Sequence, residues 1–286
     1  MSGARGAVVL EEGGRLGPYR LERLLGSGGM GIVFEAIREP QGDVVALKVL
    51  RGELSGDETY RRRFAREGRI AIGLSHRHLV PVVDAGEIEG HPYVASRYVE
   101  GRTLAEVLEA DGPLALSPML RTISEVATGL DTLHREGLVH RDVKPANIMI
   151  ERSGISYLTD FGLARGLAAT VLTSPGRVAG TVDYLAPEVI RGEQAGPAAD
   201  IYALGCVTYE CIVGRPPFGG MSIAEAALAT MQQEPADPCR DRDDLPGALS
   251  FAVLQALAKS PADRPPTAAA YALMLRISAR PAEVDP

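Results

Sequence analysis

The chain has 286 residues, 45% of them apolar, and a net charge of −7. That is enough apolar content to bury a sizeable core in one large domain or two lobes, while the acidic balance argues against a nucleic-acid binder driven by phosphate contacts. Cys206, Cys211 and Cys239 form neither a paired framework nor metal-ligand spacing with any histidine, which suits a reducing compartment.

Residues 1–16 are Gly-rich and aperiodic and read as a flexible lead; the run Ala7-Val8-Val9-Leu10 is too short, and at Glu11-Glu12 too acidic, for a signal peptide. From Tyr19 to Leu25 the pattern alternates as a strand does, and Gly26-Ser27-Gly28-Gly29-Met30-Gly31-Ile32-Val33 follows. This GxGxxG spacing also serves dinucleotide folds, where it opens a helix. Here Ile32-Val33-Phe34-Glu35-Ala36 is β-prone, so the loop joins two strands, and its glycines let backbone N–H groups approach phosphate oxygens with no Cβ in the way. A turn at residues 39–43 leads to the strand Val44–Leu50. Lys48 stands in that apolar run and needs an anionic partner if buried, unless it faces solvent from a sheet edge.

Residues 57–74 read as a helix with Phe64, Ile70, Ala71 and Leu74 on its apolar face and Glu67 in its middle. Arg61, Arg62, Arg63, Arg66 and Arg69 give it a basic face, ordinarily a solvated one. Leu79–Val83 and Pro92–Ser96 are two more strands, separated by a turn at Glu89-Gly90. Residues 103–109 and 117–135 are helical, the second with Leu120, Ile123, Val126, Ala127, Leu130 and Leu133 at helical spacing and a structural histidine, His134, at its end.

His140-Arg141-Asp142-Val143-Lys144-Pro145-Ala146-Asn147 and Asp160-Phe161-Gly162 carry the chemistry. Two carboxylates and an amide at fixed spacing on neighbouring loops are what is needed to orient a hydroxyl and hold Mg²⁺ on a polyphosphate. His-Arg-Asp alone is a common surface turn; the full string followed by Asp-Phe-Gly is not. Residues 163–185 combine small residues with little apolar periodicity, which suits a mobile segment, and Thr170, Thr173 and Ser174 are its candidate phosphorylation sites. Then come Gly180-Thr181, Ala186-Pro187-Glu188 and Asp200-Ile201-Tyr202-Ala203-Leu204-Gly205. The last opens an apolar helical pattern, with Cys206 and Cys211 as core residues. No stretch approaches the ~18 apolar residues of a membrane span, so a cytoplasmic location is expected, with room for an anchor after Pro286 in a longer parent protein. Asp263-Arg264-Pro265-Pro266 precedes a last helix over residues 267–278.

Across residues 17–278 these motifs resemble the bacterial eukaryotic-like (Hanks-type) serine/threonine protein kinases, the mycobacterial receptor-type kinases among them. The strings Gly-Ser-Gly-Gly-Met-Gly, His-Arg-Asp-Val-Lys-Pro-Ala-Asn and Asp-Ile-Tyr-Ala-Leu-Gly carry the likeness. It implies an α+β, two-lobed protein kinase fold. Residues 17–98 would form a small antiparallel β-sheet lobe with one key helix, residues 99–278 a larger, mainly α-helical lobe, and residues 279–286 a flexible tail.

The resemblance further implies ATP and Mg²⁺ (or Mn²⁺) as cofactors and protein Ser/Thr hydroxyls as acceptors. Those of its own activation segment would be included, phosphorylated in trans through a transient homodimer. By the same resemblance, Asp142 accepts the substrate hydroxyl proton, Asn147 and Asp160 hold the metal, and Lys144 sits beside the γ-phosphate. Lys48, paired with Glu67, reaches the α- and β-phosphates beneath a lid formed by Gly26, Ser27, Gly28, Gly29, Met30 and Gly31. Tyr98 and Val99 belong to the hinge that holds adenine, Val33, Ala46 and Met149 close over its faces, and Ser96 limits the back of its pocket.

The likeness also gives His140 a packing role and lets Asp200 bond the catalytic-loop backbone. Arg264 would pair with Glu188, Thr181 would lie in the substrate loop, and Arg63, Arg141 and Arg165 would receive a loop phosphate. Pro175 and Arg177 depart from the pattern near where related kinases often carry a phosphothreonine, which leaves the modified residue open. Two rival readings are a kinase-like enzyme acting on a small molecule and a pseudokinase. Lys144, Gly180-Thr181 and Ala186-Pro187-Glu188 speak against the first, and the presence of Lys48, Glu67, Asp142, Asn147 and Asp160 against the second.

Overall fold

The structure is a computed structural model that describes residues 10–28, 31–50, 58–160, 182–240 and 242–280, without the side chains of residues 58–60, 62, 63, 65 and 67. The chain divides into two compact units, residues 1–75 with 80–99 and residues 76–79 with 100–286. The division falls one residue beyond the boundary expected after residue 98, and residues 76–79 go to the second unit.

In the first unit a six-stranded sheet runs in the order β1-β2-β3-β4-β6-β5. Its strands are β1 (Arg15–Leu16), β2 (Tyr19–Gly28), β3 (Gly31–Arg38), β4 (Asp43–Leu50), β5 (Val82–Ile88) and β6 (His91–Arg97), all paired antiparallel. Alternation along the strands decides which residues go inside. Phe34, Leu47 and Ala95 line up across β3, β4 and β6, and together with Leu21, Ala36, Val45, Val49 and Tyr93 they form the core on one face. Each such fully buried Leu or Phe side chain contributes roughly 1.5–3 kcal/mol. Leu16 corrects the expected flexible lead: it pairs with Tyr19 and is fully buried, because the chain turns back at Gly17.

One polar junction interrupts this core. The hydroxyls of Tyr19 and Tyr93 both donate to Oδ2 of Asp84, at 2.6 and 2.8 Å. Burial and the shared carboxylate push both phenols up, Tyr93 to about 12. Burial alone would raise Asp84 too, but the two phenol hydrogen bonds outweigh it and hold its carboxyl below the usual range.

The helix of this unit, α1 (Glu58–Ile72), packs against β5 and β6. Phe64 and Ala71 are buried as expected, but Ile70 is 39% exposed. The inward positions are 64, 68 and 71, spaced i, i+4 and i+7, and Ile70 lies about 200° round the helix from Gly68. Leu79–Val83, expected as one strand, is split: β5 begins only at Val82, and Leu79 bridges Leu158 of the second unit instead. Pro81 has no N–H to give a ladder at that point.

The second unit holds α2 (Leu104–Asp111), α3 (Leu116–Arg135), α4 (Pro187–Ile190), α5 (Pro197–Val213), α6 (Ile223–Gln232), α7 (Ala248–Ala256) and α8 (Ala268–Ser278). A small sheet joins them, with β7 (Gly101–Thr103), β8 (Ile148–Glu151) and β9 (Ser156–Leu158) in that order. Helix α5 is buried on nearly every side, Cys206 and Cys211 included, and burial pushes both thiols far up, so they act as apolar filling. Against α5 pack α3 and α7, and α3 also packs against α8. Capping boxes start α2 at Thr103 with Glu106 and α6 at Ser222 with Glu225. Among the described residues no helix is long and apolar enough to cross a membrane.

Candidate active site

Helix α3 ends at Arg135, Gly137 turns the chain with φ 71°, and the segment His140–Asn147 follows. It has little regular structure of its own, so its backbone must find partners elsewhere. Asp200, near the start of α5 and 1% exposed, supplies them. Its Oδ2 accepts the N–H of His140 and its Oδ1 the N–H of Arg141, both at 2.8 Å. Nε2 of His134 donates to the same carboxylate at 2.8 Å. Arg141 has φ 67°, a left-handed conformation that costs a non-glycine residue about 1–3 kcal/mol and persists only where neighbours enforce it. Here the buried carboxylate of Asp200 is what enforces it.

His140 is fully buried, and both its ring nitrogens are engaged. Nε2 donates to the Thr159 carbonyl at 2.8 Å, and Nδ1 accepts the N–H of Asp142 at 3.2 Å. Neither nitrogen is left to serve as a base, which agrees with its expected packing role. Thr159 is tied a second time, because its N–H donates to the Asn147 carbonyl at 2.9 Å and its hydroxyl to the same oxygen at 3.2 Å. The residue after it is Asp160, which also has a left-handed φ of 59°. Asp160 thus follows a peptide that the His140–Asn147 segment clamps. Thr159 was not singled out from the sequence, and nothing in its spacing marks it.

Asp142 sits at the centre of the loop's own bonds. Nζ of Lys144 lies 2.8 Å from its carboxylate, and Nδ2 of Asn147 donates to its carbonyl at 2.7 Å and to its Oδ2 at 2.9 Å. Asn147 is 6% exposed. Because its amide nitrogen is committed to Asp142, its oxygen is the atom left to ligate a cation. Amide and carboxylate oxygens such as those of Asn147 and Asp160 are hard donors of the kind Mg²⁺ takes. Met149 lies on β8, paired with Thr103 and Tyr157.

In the first unit, Val33 stands opposite Lys48, Lys48 opposite Val94, and Ala46 opposite Ser96. Register therefore sets Val33, Ala46, Lys48, Val94 and Ser96 on one face of the sheet, opposite the core face. The Ser96 hydroxyl reaches the Ala46 carbonyl at 3.4 Å, and Tyr98 accepts a hydrogen bond from Arg23 at 3.2 Å. Val99 is buried. At Gly26 and Gly28 an added Cβ would meet no atom within 4 Å, so the described residues leave that side of the backbone unobstructed. Ser27 pairs with Ile32 beside them. Gly31 has a different reason to be glycine: a Cβ there would fall 2.3 Å from the Val49 carbonyl oxygen of β4.

Gly29, Met30, the side chains of Arg63 and Glu67, Phe161, Gly162, Arg165, Thr170, Thr173, Ser174, Pro175, Arg177, Gly180 and Thr181 lie outside the described residues.

The expected Glu188–Arg264 pair is present, away from Asp142 in sequence and fully built. Arg264 donates to both Glu188 oxygens at 2.7 Å and to the carbonyls of Ala198, Ala258 and Lys259, which uses all five of its N–H groups. Its guanidinium also stacks over Tyr202 at 5.0 Å.

A family description, protein kinase domain, matches residues 19–272. The chain is 40% identical over 261 residues to the serine/threonine-protein kinase PknH of Mycobacterium bovis, spanning 91% of this chain and 44% of that protein. To the serine/threonine-protein kinase PknE of Mycobacterium tuberculosis it is 40% identical over 259 residues, spanning 91% of this chain and 46% of PknE. It thus spans a little under half the length of these curated relatives. The crystal structure of the Mycobacterium tuberculosis PknI kinase domain is similar to it, with a TM-score of 0.77 and 30% identity over 95% of this chain and 100% of that one.

Proposed function

The chain belongs to the protein kinase domain family, and on that premise we propose that it transfers the γ-phosphate of ATP to Ser and Thr hydroxyls of proteins. Those of its own segment around Thr170, Thr173 and Ser174 are included, modified in trans through a transient homodimer. ATP with Mg²⁺ (or Mn²⁺) supplies the phosphoryl group and the charge that offsets its oxygens.

The chain's own residues do the positioning. Asp142 accepts the hydrogen bond and then the proton of the attacking hydroxyl. Lys144, already paired with Asp142, offers its ammonium to the transferring phosphate, while Asn147 and Asp160 hold the metal. In the first unit, Lys48 binds the α- and β-phosphates with Glu67 as its partner, and Gly26, Ser27, Gly28, Gly29, Met30 and Gly31 give backbone N–H groups to the phosphates. Val33, Ala46, Tyr98 and Val99 hold the adenine. Ser96 is small for the back of such a pocket and leaves room for inhibitors with a larger group there.

The observation that carries this reading is the Asp142 carboxylate held by Lys144 and Asn147, on a loop fastened to buried Asp200. Intact mass before and after incubation with Mg²⁺ and ATP tests it, with Asp142→Asn beside the wild type. Gains of about 80 Da per phosphate are expected in the wild type, with turnover in the variant down by about 10²–10⁴-fold and ATP affinity nearly unchanged. Equal mass gain in both, or an equal fall in ATP affinity, would remove Asp142 from the role of base. A rate of gain independent of protein concentration would rule out transfer in trans.

A further inference from the structure

Gly68 occupies an inward position of α1, between Phe64 and Ala71, where helix propensity argues against glycine. Packing supplies the reason. A Cβ at this position would lie 2.7 Å from the Cβ of Ala85 and 3.0 Å from Cγ2 of Val94. Ala85 and Val94 are a cross-strand pair of β5 and β6, and Val94 is in turn the β4 partner of Lys48. The helix backbone therefore rests directly on the two strands beside the lysine. The Val94 methyl can rotate away from an added carbon, but Ala85 has no rotamer to offer, so the Ala85 contact is the hard limit on approach.

We propose that Gly68 is a positioning residue for phosphoryl transfer. Its missing side chain sets the depth at which α1 sits on β5 and β6, and with it the reach of the preceding residue, Glu67, to Lys48. This rests on the Lys48–Glu67 role given under Proposed function. An alanine at 68 lifts the helix from the strand pair, and Glu67 moves with it. A small displacement of such a group, remote from the reacting atoms, is enough to change rate by an order of magnitude.

The test is a double-variant cycle of Gly68→Ala, Ala85→Gly and the two combined. It reads kcat and KM for ATP with a protein substrate, the unfolding midpoint, and amide exchange over residues 64–72. Gly68→Ala is expected to lose about 10-fold in kcat/KM and to exchange faster along α1, and the combined variant to recover most of both. Ala85→Gly alone is expected to keep near wild-type kcat while melting earlier, because glycine weakens a strand. The combined variant then regains rate while remaining less stable than wild type, which a merely structural role does not produce.

Wild-type rate and exchange in Gly68→Ala, or a loss that Ala85→Gly does not recover, would overturn the proposal. Lys48→Met, run in parallel, separates the premises. If it keeps wild-type turnover, the Lys48–Glu67 role has failed, and with it the catalytic half of this proposal. If wild-type protein transfers no phosphate, the proposed function has failed. In either case the exchange cycle still accepts or rejects the seating of α1 by Gly68.

Discussion

In the second unit Asp142, Asn147 and Asp160 are held by a few buried side-chain-to-backbone bonds, from Asp200 to His140 and Arg141 and from His140 to Thr159. In the first unit Val33, Ala46 and Lys48 stand where strand register puts them, and the ladder is shared among many residues. The contrast is between anchoring by individual donors and acceptors and anchoring by pattern. Where one carboxylate fixes several N–H groups, a single substitution removes several bonds at once. Where a ladder does the work, a side chain can change its chemistry and leave its place intact.

The sharpest way to break that comparison is at Arg264, which anchors the second unit through Glu188 and three carbonyls. Arg264→Ala leaves Glu188 buried without its partner and is expected to cost about 3–5 kcal/mol in urea unfolding. A loss below about 1 kcal/mol would mean that the unit does not depend on single anchors. Lys48→Met should behave in the opposite way. Turnover is expected to fall about 10²-fold, while stability stays within about 0.5 kcal/mol of wild type; a large loss of stability would erase the distinction between the units.

Asp200→Asn sharpens the same point at smaller scale. The amide keeps one acceptor oxygen but turns an NH₂ toward backbone N–H groups, and should cost about 1–3 kcal/mol with a parallel loss of turnover. Unfolding and kinetics moving separately would show that the catalytic loop has another support.

The smallest effect concerns Glu210 on α5. Burial raises its carboxyl above the usual range, and neighbouring Asp183 adds to this, although the Tyr184 hydroxyl at 2.5 Å works against it. A raised folded-state value means the native protein holds this proton more tightly than the unfolded chain does. That contribution to stability is present below about 4.3, the ordinary glutamate value, and is lost as pH rises through the raised one. Glu210→Gln stays neutral and is expected to melt slightly later than wild type at pH 7, with the gap closing toward pH 4. A gap that widens on acidification would reverse the sign.

Much of this was legible in the sequence because alternation and motif order report the same thing. The strands around Leu21, Phe34, Leu47 and Val94 and the helices at Phe64, Ile123 and Tyr271 stand where the residues suggested, and the bonds of Asp200 and the Glu188–Arg264 pair stand where the family resemblance implied. What the sequence hid has physical causes. The apolar run Leu79–Val83 could not reveal that Leu79 serves one unit and Val82 the other, since burial is all that hydrophobicity encodes. Ile70 looked inward because it is apolar, whereas the inward place at 68 is a glycine, invisible to a hydrophobic pattern. Short strands β7, β8 and β9 are too brief for periodicity, and α6 was missed although Ser222 and Glu225 spell its capping box.

Residues 76–79 belong to the second unit while the chain on both sides of them belongs to the first. Within that unit the His78 carbonyl accepts the N–H of Leu158 at 2.9 Å, and Leu79, 1% exposed, bridges Leu158 and crowds Gly129 of α3. The chain therefore changes units at 75–76, at 79–80 and at 99–100, and no single peptide bond separates the two. A fragment starting at residue 100 would lack a buried leucine and the acceptor for a strand N–H, which together amount to several kcal/mol. The larger unit thus takes in a short stretch from the middle of its neighbour's sequence, and a cut at residue 100 divides it.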